Sequence, residues 1–161
     1  MNLEKLLDLA GEHAARVLLG LRQEMPPTWL LITQKNKLVI GVTPFCGDRE
    51  KEQVAKAMRA RMARMGVTAY SCVCEAWTST YKPEEVPGLP LKLFWPQVRP
   101  VDRFDRREIV MALASDGQEI RVRQWFQIRA EDGHLERLQL AQMENPEEFA
   151  GWMAHMLHEE R

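Results

Sequence analysis

Apolar residues recur at helical spacing from the start of the chain. Leu3, Leu6, Leu7, Ala10, Ala14, Val17, Leu18 and Leu21 alternate with Glu4, Asp8, Glu12, Arg16 and Arg22. This i, i+3, i+4, i+7 pattern predicts an amphipathic helix over residues 3–24. Asn2 stands where an N-cap belongs, and Pro26-Pro27 stops the helix. Gly11 and Gly20 lower helix propensity without breaking the period.

A hairpin is predicted next. Trp29 to Thr33 and Leu38 to Thr43 are β-rich and are joined by the polar turn Gln34-Lys35-Asn36-Lys37. Pro44 and Gly47 end the second strand. Asp48 then caps a helix over Arg49 to Met65 with an apolar stripe of Val54, Ala57, Met58, Met62 and Met65. Gly66 occupies the C′ position. Residues 67–80 alternate as one long strand. From Tyr81 to Asp105 the period dissolves among five prolines, yet Leu89, Leu91, Leu93, Phe94 and Trp95 argue against a solvated linker.

Glu108 to Ser115 and Gln118 to Arg129 flank Asp116-Gly117, a dipeptide suited to a type I′ turn. Glu131-Asp132-Gly133 leads to a strand over His134 to Gln142. Asn145-Pro146-Glu147-Glu148 opens a last helix, whose expected buried stripe is Phe149, Trp152, Met153, Met156 and Leu157. The predicted order is α-β-β-α-β-loop-β-β-β-α. It specifies a single α+β domain over residues 1–161 with a largely antiparallel sheet and a Pro-rich loop at about 81–105.

Composition narrows the function classes. The chain has 161 residues, 22 Lys plus Arg, 23 Asp plus Glu and a net charge of −1. Nucleic-acid binding by overall basicity is excluded. The amino terminus lacks a charged region followed by an apolar one, so no secretory signal is expected. No apolar run approaches the roughly 20 residues of a membrane span. An odd number of cysteines (Cys46, Cys72, Cys74) without an export signal points to a reducing cytoplasm with free thiols.

Chemical signatures are sparse. There is no GxGxxG and no GxxxxGK[ST] loop. Cys72-Val73-Cys74 puts two thiols on one side of a strand, but a structural zinc site needs four ligands. His13, His134, His155 and His158 form neither HxxxH nor HExxH. Two buried structural cysteines are the expectation, with no metal and no cofactor. Cys46, near a helix start, is a weak nucleophile candidate. Glu75, Asp102, Asp105 and Glu108 are candidate paired carboxylates, but charges at such junctions are usually solvated or paired with neighbours such as Arg106 and Arg107.

One pattern stands above these. If Ile120, Val122, Phe126 and Ile128 face the core, Arg121, Arg123, Trp125, Gln127 and Arg129 line the other side of the same strand. Arginines interleaved with a tryptophan can anchor a protein interface, or stack bases and grip phosphates. They also occur on a solvated sheet face where Arg stems cover the indole. The second helix carries a formal +4 and the chain from Glu131 onward a formal −6. Opposed patches permit head-to-tail or two-fold self-association and steer partners.

The strand Tyr70-Ser71-Cys72-Val73-Cys74-Glu75-Ala76-Trp77 and the later Asp105-Arg106-Arg107-Glu108-Ile109-Val110-Met111 resemble segments of small uncharacterised proteins of phages and bacterial mobile elements. The resemblance covers roughly residues 67–115 and implies no catalytic assignment. It implies that Glu75, Trp77 and Arg107 gather at the rim of the long loop.

Three readings follow. The leading one is a non-catalytic cytoplasmic interaction protein, expected to be a homodimer, contacting an unidentified protein through Arg121, Arg123, Trp125 and Arg129 together with Glu75, Trp77 and Trp95. The second is a nucleic-acid or nucleotide-binding module using the Arg/Trp face and the basic helix. The third is an enzyme of unfamiliar type with a site at Glu75, Trp77 and the long loop.

Overall fold

The computed structural model describes residues 2–44, 48–79, 105–141 and 156–157. Within them lie α1 (Leu3–Ala15), β1 (Thr28–Thr33), β2 (Leu38–Val42), α2 (Asp48–Met65), β3 (Val67–Ser79), β4 (Arg106–Ser115), β5 (Ile120–Arg129) and β6 (Leu135–Leu140). The strands form one six-stranded sheet in the order β2-β1-β3-β4-β5-β6, with every neighbouring pair antiparallel. This is the α+β architecture the sequence predicts. β2 and β3 flank β1 and therefore run parallel to each other, so a tight turn cannot join them. α2 supplies the crossover.

Each face of the sheet buries its own core. On one face, Leu3, Leu6, Leu7, Ala10, Ala14 and Leu18 pack on Leu30 and Ile32 of β1, Ala69 and Val73 of β3, and Val110, Ala112 and Ala114 of β4. On the other, Ala55, Met58 and Met62 of α2 meet Trp29, Leu31, Tyr70, Cys72, Cys74 and Leu113. Met156 joins this second core, and its N–H donates to the Tyr70 hydroxyl at 3.3 Å. A sheet covered on both sides explains why β1 reads as a continuous apolar run.

Small residues let α1 approach closely. Ala10 and Ala14 face Ala112 and Ala114, all four fully buried. Beside them, a Cβ on Gly11 would lie 2.7 Å from Cζ2 of Trp125. The glycine that weakens the helix in sequence terms is what admits the indole beneath it.

The first helix ends earlier than the 3–24 pattern predicts. After Ala15 the chain widens into a π turn over Arg16–Gly20, with Leu21 N–H donating to Arg16 C=O at 3.0 Å. Arg22 then takes a left-handed φ of 53° while Gln23 N–H reaches back to Val17 C=O. The wider turn breaks the 3.6-residue phase, so Leu21, expected in the buried stripe, is 57% exposed.

In α2 the stripe shifts by two residues at one position. Ala55, not Ala57, is buried with Met58 and Met62, while Val54 and Met65 are half-buried. Gly66 takes the expected left-handed conformation, with φ +60°.

Two hairpins share one turn design. Thr33 N–H donates to Lys37 C=O and Asn36 N–H to Thr33 C=O; likewise Ala130 N–H donates to His134 C=O and Gly133 N–H to Ala130 C=O. In each, a three-residue loop ends on a left-handed residue, Asn36 (φ 54°) or Gly133 (φ 86°). The β4–β5 turn departs from expectation. Asp116 N–H donates to Glu119 C=O, so the tip is Gly117-Gln118, and Gly117 alone has positive φ. A type I′ turn at Asp116-Gly117 needs positive φ at both residues. Asp116 instead stays outside the tip and accepts from the N–H groups of Gln118 and Glu119. The expected Pro-rich loop, with Trp95, and the last helix apart from Met156 and Leu157 lie outside the described residues.

Candidate functional site

Strand β5 splits its side chains as the alternation predicts. Ile120 and Val122 pack on the α2 side, and Trp125 packs on the α1 side with the arginines of the same parity. Arg121 and Arg123 of that face lie under α1. Arg121 Nη1 donates to Glu4 Oε1 at 2.5 Å and Arg121 Nε to Glu119 Oε1 at 2.7 Å. Arg123 donates to Asp8 Oδ1 at 2.5 Å and to Glu4 Oε2 at 2.6 Å. Arg129 Nε donates to Glu108 Oε2 at 2.6 Å and its Nη1 to Gly133 C=O. The neighbouring carboxylates hold Arg121 well above the usual guanidinium range. Arg121, Arg123 and Trp125 therefore fasten α1 to the sheet, and each guanidinium already holds a carboxylate of this chain.

Glu75 sits deeper in the sheet. Its Oε2 accepts from Met25 N–H at 2.9 Å and its Oε1 from Gln127 Nε2 at 3.0 Å. It lines a cleft of about 280 Å³ with Leu18, Arg22, Glu24, Gln127, Arg129, His134 and Leu135. From β3 the carboxylate ties the segment leaving α1 to β5 across β4, which is a positioning role. Asp132 is held below its usual range by the N–H and ring of His134. Trp77 is 40% exposed at the far end of β3, with the Arg106 guanidinium 5.3 Å from its ring centre.

The gathering of Glu75, Trp77 and Arg107 is realised only for the first two. Arg107 is in register with Thr78, and its guanidinium lies 4.0 Å from the Phe126 ring on the α2 side of the sheet. Alternation along β4 sends Arg106, not Arg107, to the face of Trp77. Trp95 lies outside the described residues.

Cys72 and Cys74 are buried free thiols in the second core. Burial pushes the Cys74 thiol up to about 11 and raises Cys72 well above its usual value. Neither is a thiolate at neutral pH. Among the described residues no group of His, Cys, Asp and Glu is arranged to hold a metal ion. Among them, too, no helix is long and apolar enough to cross a membrane.

The surface that sequence reasoning missed is strand β2. Among the described residues it pairs only with β1 and forms one edge of the sheet. Leu38, Ile40 and Val42 are 41%, 55% and 52% exposed. They oppose Ile32, Leu30 and Thr28 of β1, so they share the α1 face, but α1 packs chiefly over β3 and β4. Thr43 N–H donates to Pro27 C=O and Thr33 N–H to Lys37 C=O, which turns the backbone groups of the odd-numbered residues toward β1. In an antiparallel ladder the alternate residues then turn theirs outward. Leu38, Ile40 and Val42 thus present apolar side chains together with main-chain donors and acceptors that have no partner among the described residues. The signal in the sequence is a strand apolar at all five positions, Leu-Val-Ile-Gly-Val, next to a turn. A half-covered edge strand ordinarily alternates with polar residues.

The opposite edge is built differently. β6 carries Glu136 and Arg137, both exposed, as charges that discourage strand addition. β2 has no charge, no proline and no bulge along its pairing with β1. Compared with known proteins, the chain matches no family model, no curated protein and no solved structure.

Proposed function

We propose that this chain is a non-catalytic interaction protein that works through protein–protein contacts, and that the contact surface is the β2 edge. One observation carries the reading. Leu38, Ile40 and Val42 expose apolar side chains on a sheet edge whose outward N–H and C=O groups have no partner among the described residues. An uncharged edge of this kind invites strand addition, in which main-chain bonds give affinity and alternate side chains give selectivity.

The arginines of β5 support a different role from the one their pattern suggests. With Glu4 and Asp8 already bound to Arg121 and Arg123, releasing those two to a phosphate or a partner means breaking the α1–sheet contact, and Arg129 is held by Glu108 of β4. The same geometry weighs against nucleic-acid binding on this face.

Native mass spectrometry of gently purified protein tests the reading. The expected result is added polypeptide mass that disappears in Ile40→Lys and persists in Arg121→Ala/Arg123→Ala. A retained oligonucleotide or small molecule in place of polypeptide, or polypeptide mass unaffected by Ile40→Lys, overturns it.

A further inference from the structure

We infer that the partner of β2 is a second copy of this chain, paired antiparallel about a two-fold axis at Ile40. The inference rests on the β2-edge reading and adds the occupant and its register.

The outward-facing backbone groups belong to Leu38, Ile40 and Val42. Two copies of β2 related by a two-fold axis must pair these residues with one another. Centring the axis on Ile40 opposes Ile40 to Ile40 and Leu38 to Val42, so all three outward residues exchange both main-chain bonds. Moving the centre by one residue toward either end leaves one of the three unpaired and runs the strand against the turn or Pro44.

The side chains fit the same register on both faces. On the α1 face, Leu38, Ile40 and Val42 of the two copies form one apolar seam, each covering side chains that are about half exposed in the single chain. On the other face, Val39 comes opposite Gly41. That is a non-hydrogen-bonded pair, with Cα atoms only about 4.5 Å apart. Space around Gly41 is open, with nothing within 4 Å of where its Cβ would stand. The valine of one copy fills the gap left by the glycine of the other.

Charge fits as well. Lys35 and Lys37 lie at one end of the strand, and Thr43 and Pro44 at the other. The antiparallel arrangement puts Lys37 opposite Thr43 and keeps the lysines of the two copies apart. A parallel arrangement would bring them together, at a cost in repulsion. The strand is complementary to itself, which is the requirement of a two-fold interface. The paired sheet would continue across the axis, and the charged β6 edges would lie at its two ends.

Sedimentation equilibrium of the full chain over a wide concentration range tests the inference, with Ile40→Lys and, on the other edge, Leu140→Lys. Both residues are more than half exposed, so neither substitution disturbs a core. The inference expects a dimer for the parent chain and for Leu140→Lys, and a monomer at every concentration for Ile40→Lys. A second probe separates the inference from the reading beneath it: a synthetic extended peptide of alternating valine and threonine. A monomeric parent chain that binds this peptide, with binding lost in Ile40→Lys, overturns self-pairing and leaves β2 as an interaction edge. A monomer that binds no peptide, or a dimer that Ile40→Lys leaves intact, overturns both.

Discussion

Gly11 and Trp125 show how one residue type can carry opposite meanings. In a helix, glycine costs about 1 kcal/mol relative to alanine. Here that cost is offset by contact, because the indole occupies the space a methyl group would take. Gly11→Ala is expected to destabilise the fold by about 1–3 kcal/mol, despite its better propensity, because a rigid ring cannot swing aside. Denaturant unfolding checks this, and a stabilised variant would contradict the packing described. The buried thiols make a second prediction at this scale. The unfolded chain releases thiol protons near the ordinary value of 9.0, whereas folded Cys74 holds its proton to about 11 and Cys72 is also raised. The folded state therefore binds more protons above pH 9, and stability is lost as pH rises through that window. Tyr70, pushed up to about 12 by burial, extends the loss from pH 10 upward. Unfolding midpoints measured across this range should fall, and Cys72→Ala should flatten the slope. A level alkaline profile in the parent chain would contradict it.

At the scale of elements, α1 is held to the sheet by apolar packing within and ion pairs along one side. Glu4 and Asp8 are one helical turn apart, and Arg121 and Arg123 are alternate residues of a strand. Four helical residues rise about 6.0 Å and two strand residues about 6.8 Å, so the two rows match. The charges are partly exposed, with the Arg123 side chain at 24% and Asp8 at 61%, so screening limits their worth. A double-mutant cycle between Glu4→Gln and Arg123→Gln should give a coupling of about 0.5 kcal/mol that shrinks in high salt. Zero coupling at low salt would mean the rows do not hold the helix.

This element also shows what the sequence makes legible. The apolar stripe of Leu3 to Ala14 identifies the helix and its buried face. The arginine alternation on β5 identifies the strand, but an acidic helix lying over it leaves the same pattern as open solvent. Only the matched spacing of Glu4/Asp8 and Arg121/Arg123 distinguishes the two. The π turn at Arg16–Gly20 leaves no trace in the period, because Val17, Leu18 and Leu21 suit a continuing α-helix equally well. The β2 edge escaped notice for the converse reason: an apolar five-residue run reads as core, and strand order decides whether it is.

At the scale of the whole molecule, the described sheet has one guarded edge and one open one. β6 is protected by charge, while β2 leaves three apolar residues and their main-chain groups exposed together. An open edge in a free chain is an aggregation hazard, and a complementary partner removes it. If β2 is covered as described, its outward amides must be shielded from water only when the partner is bound. The most direct measurement is amide hydrogen exchange at Leu38, Ile40 and Val42 as the protein is diluted. Slow exchange is expected at these three amides in concentrated solution, becoming fast on dilution, while Val39 and Gly41 stay protected by β1 throughout. Fast exchange at Leu38, Ile40 and Val42 at every concentration would contradict it.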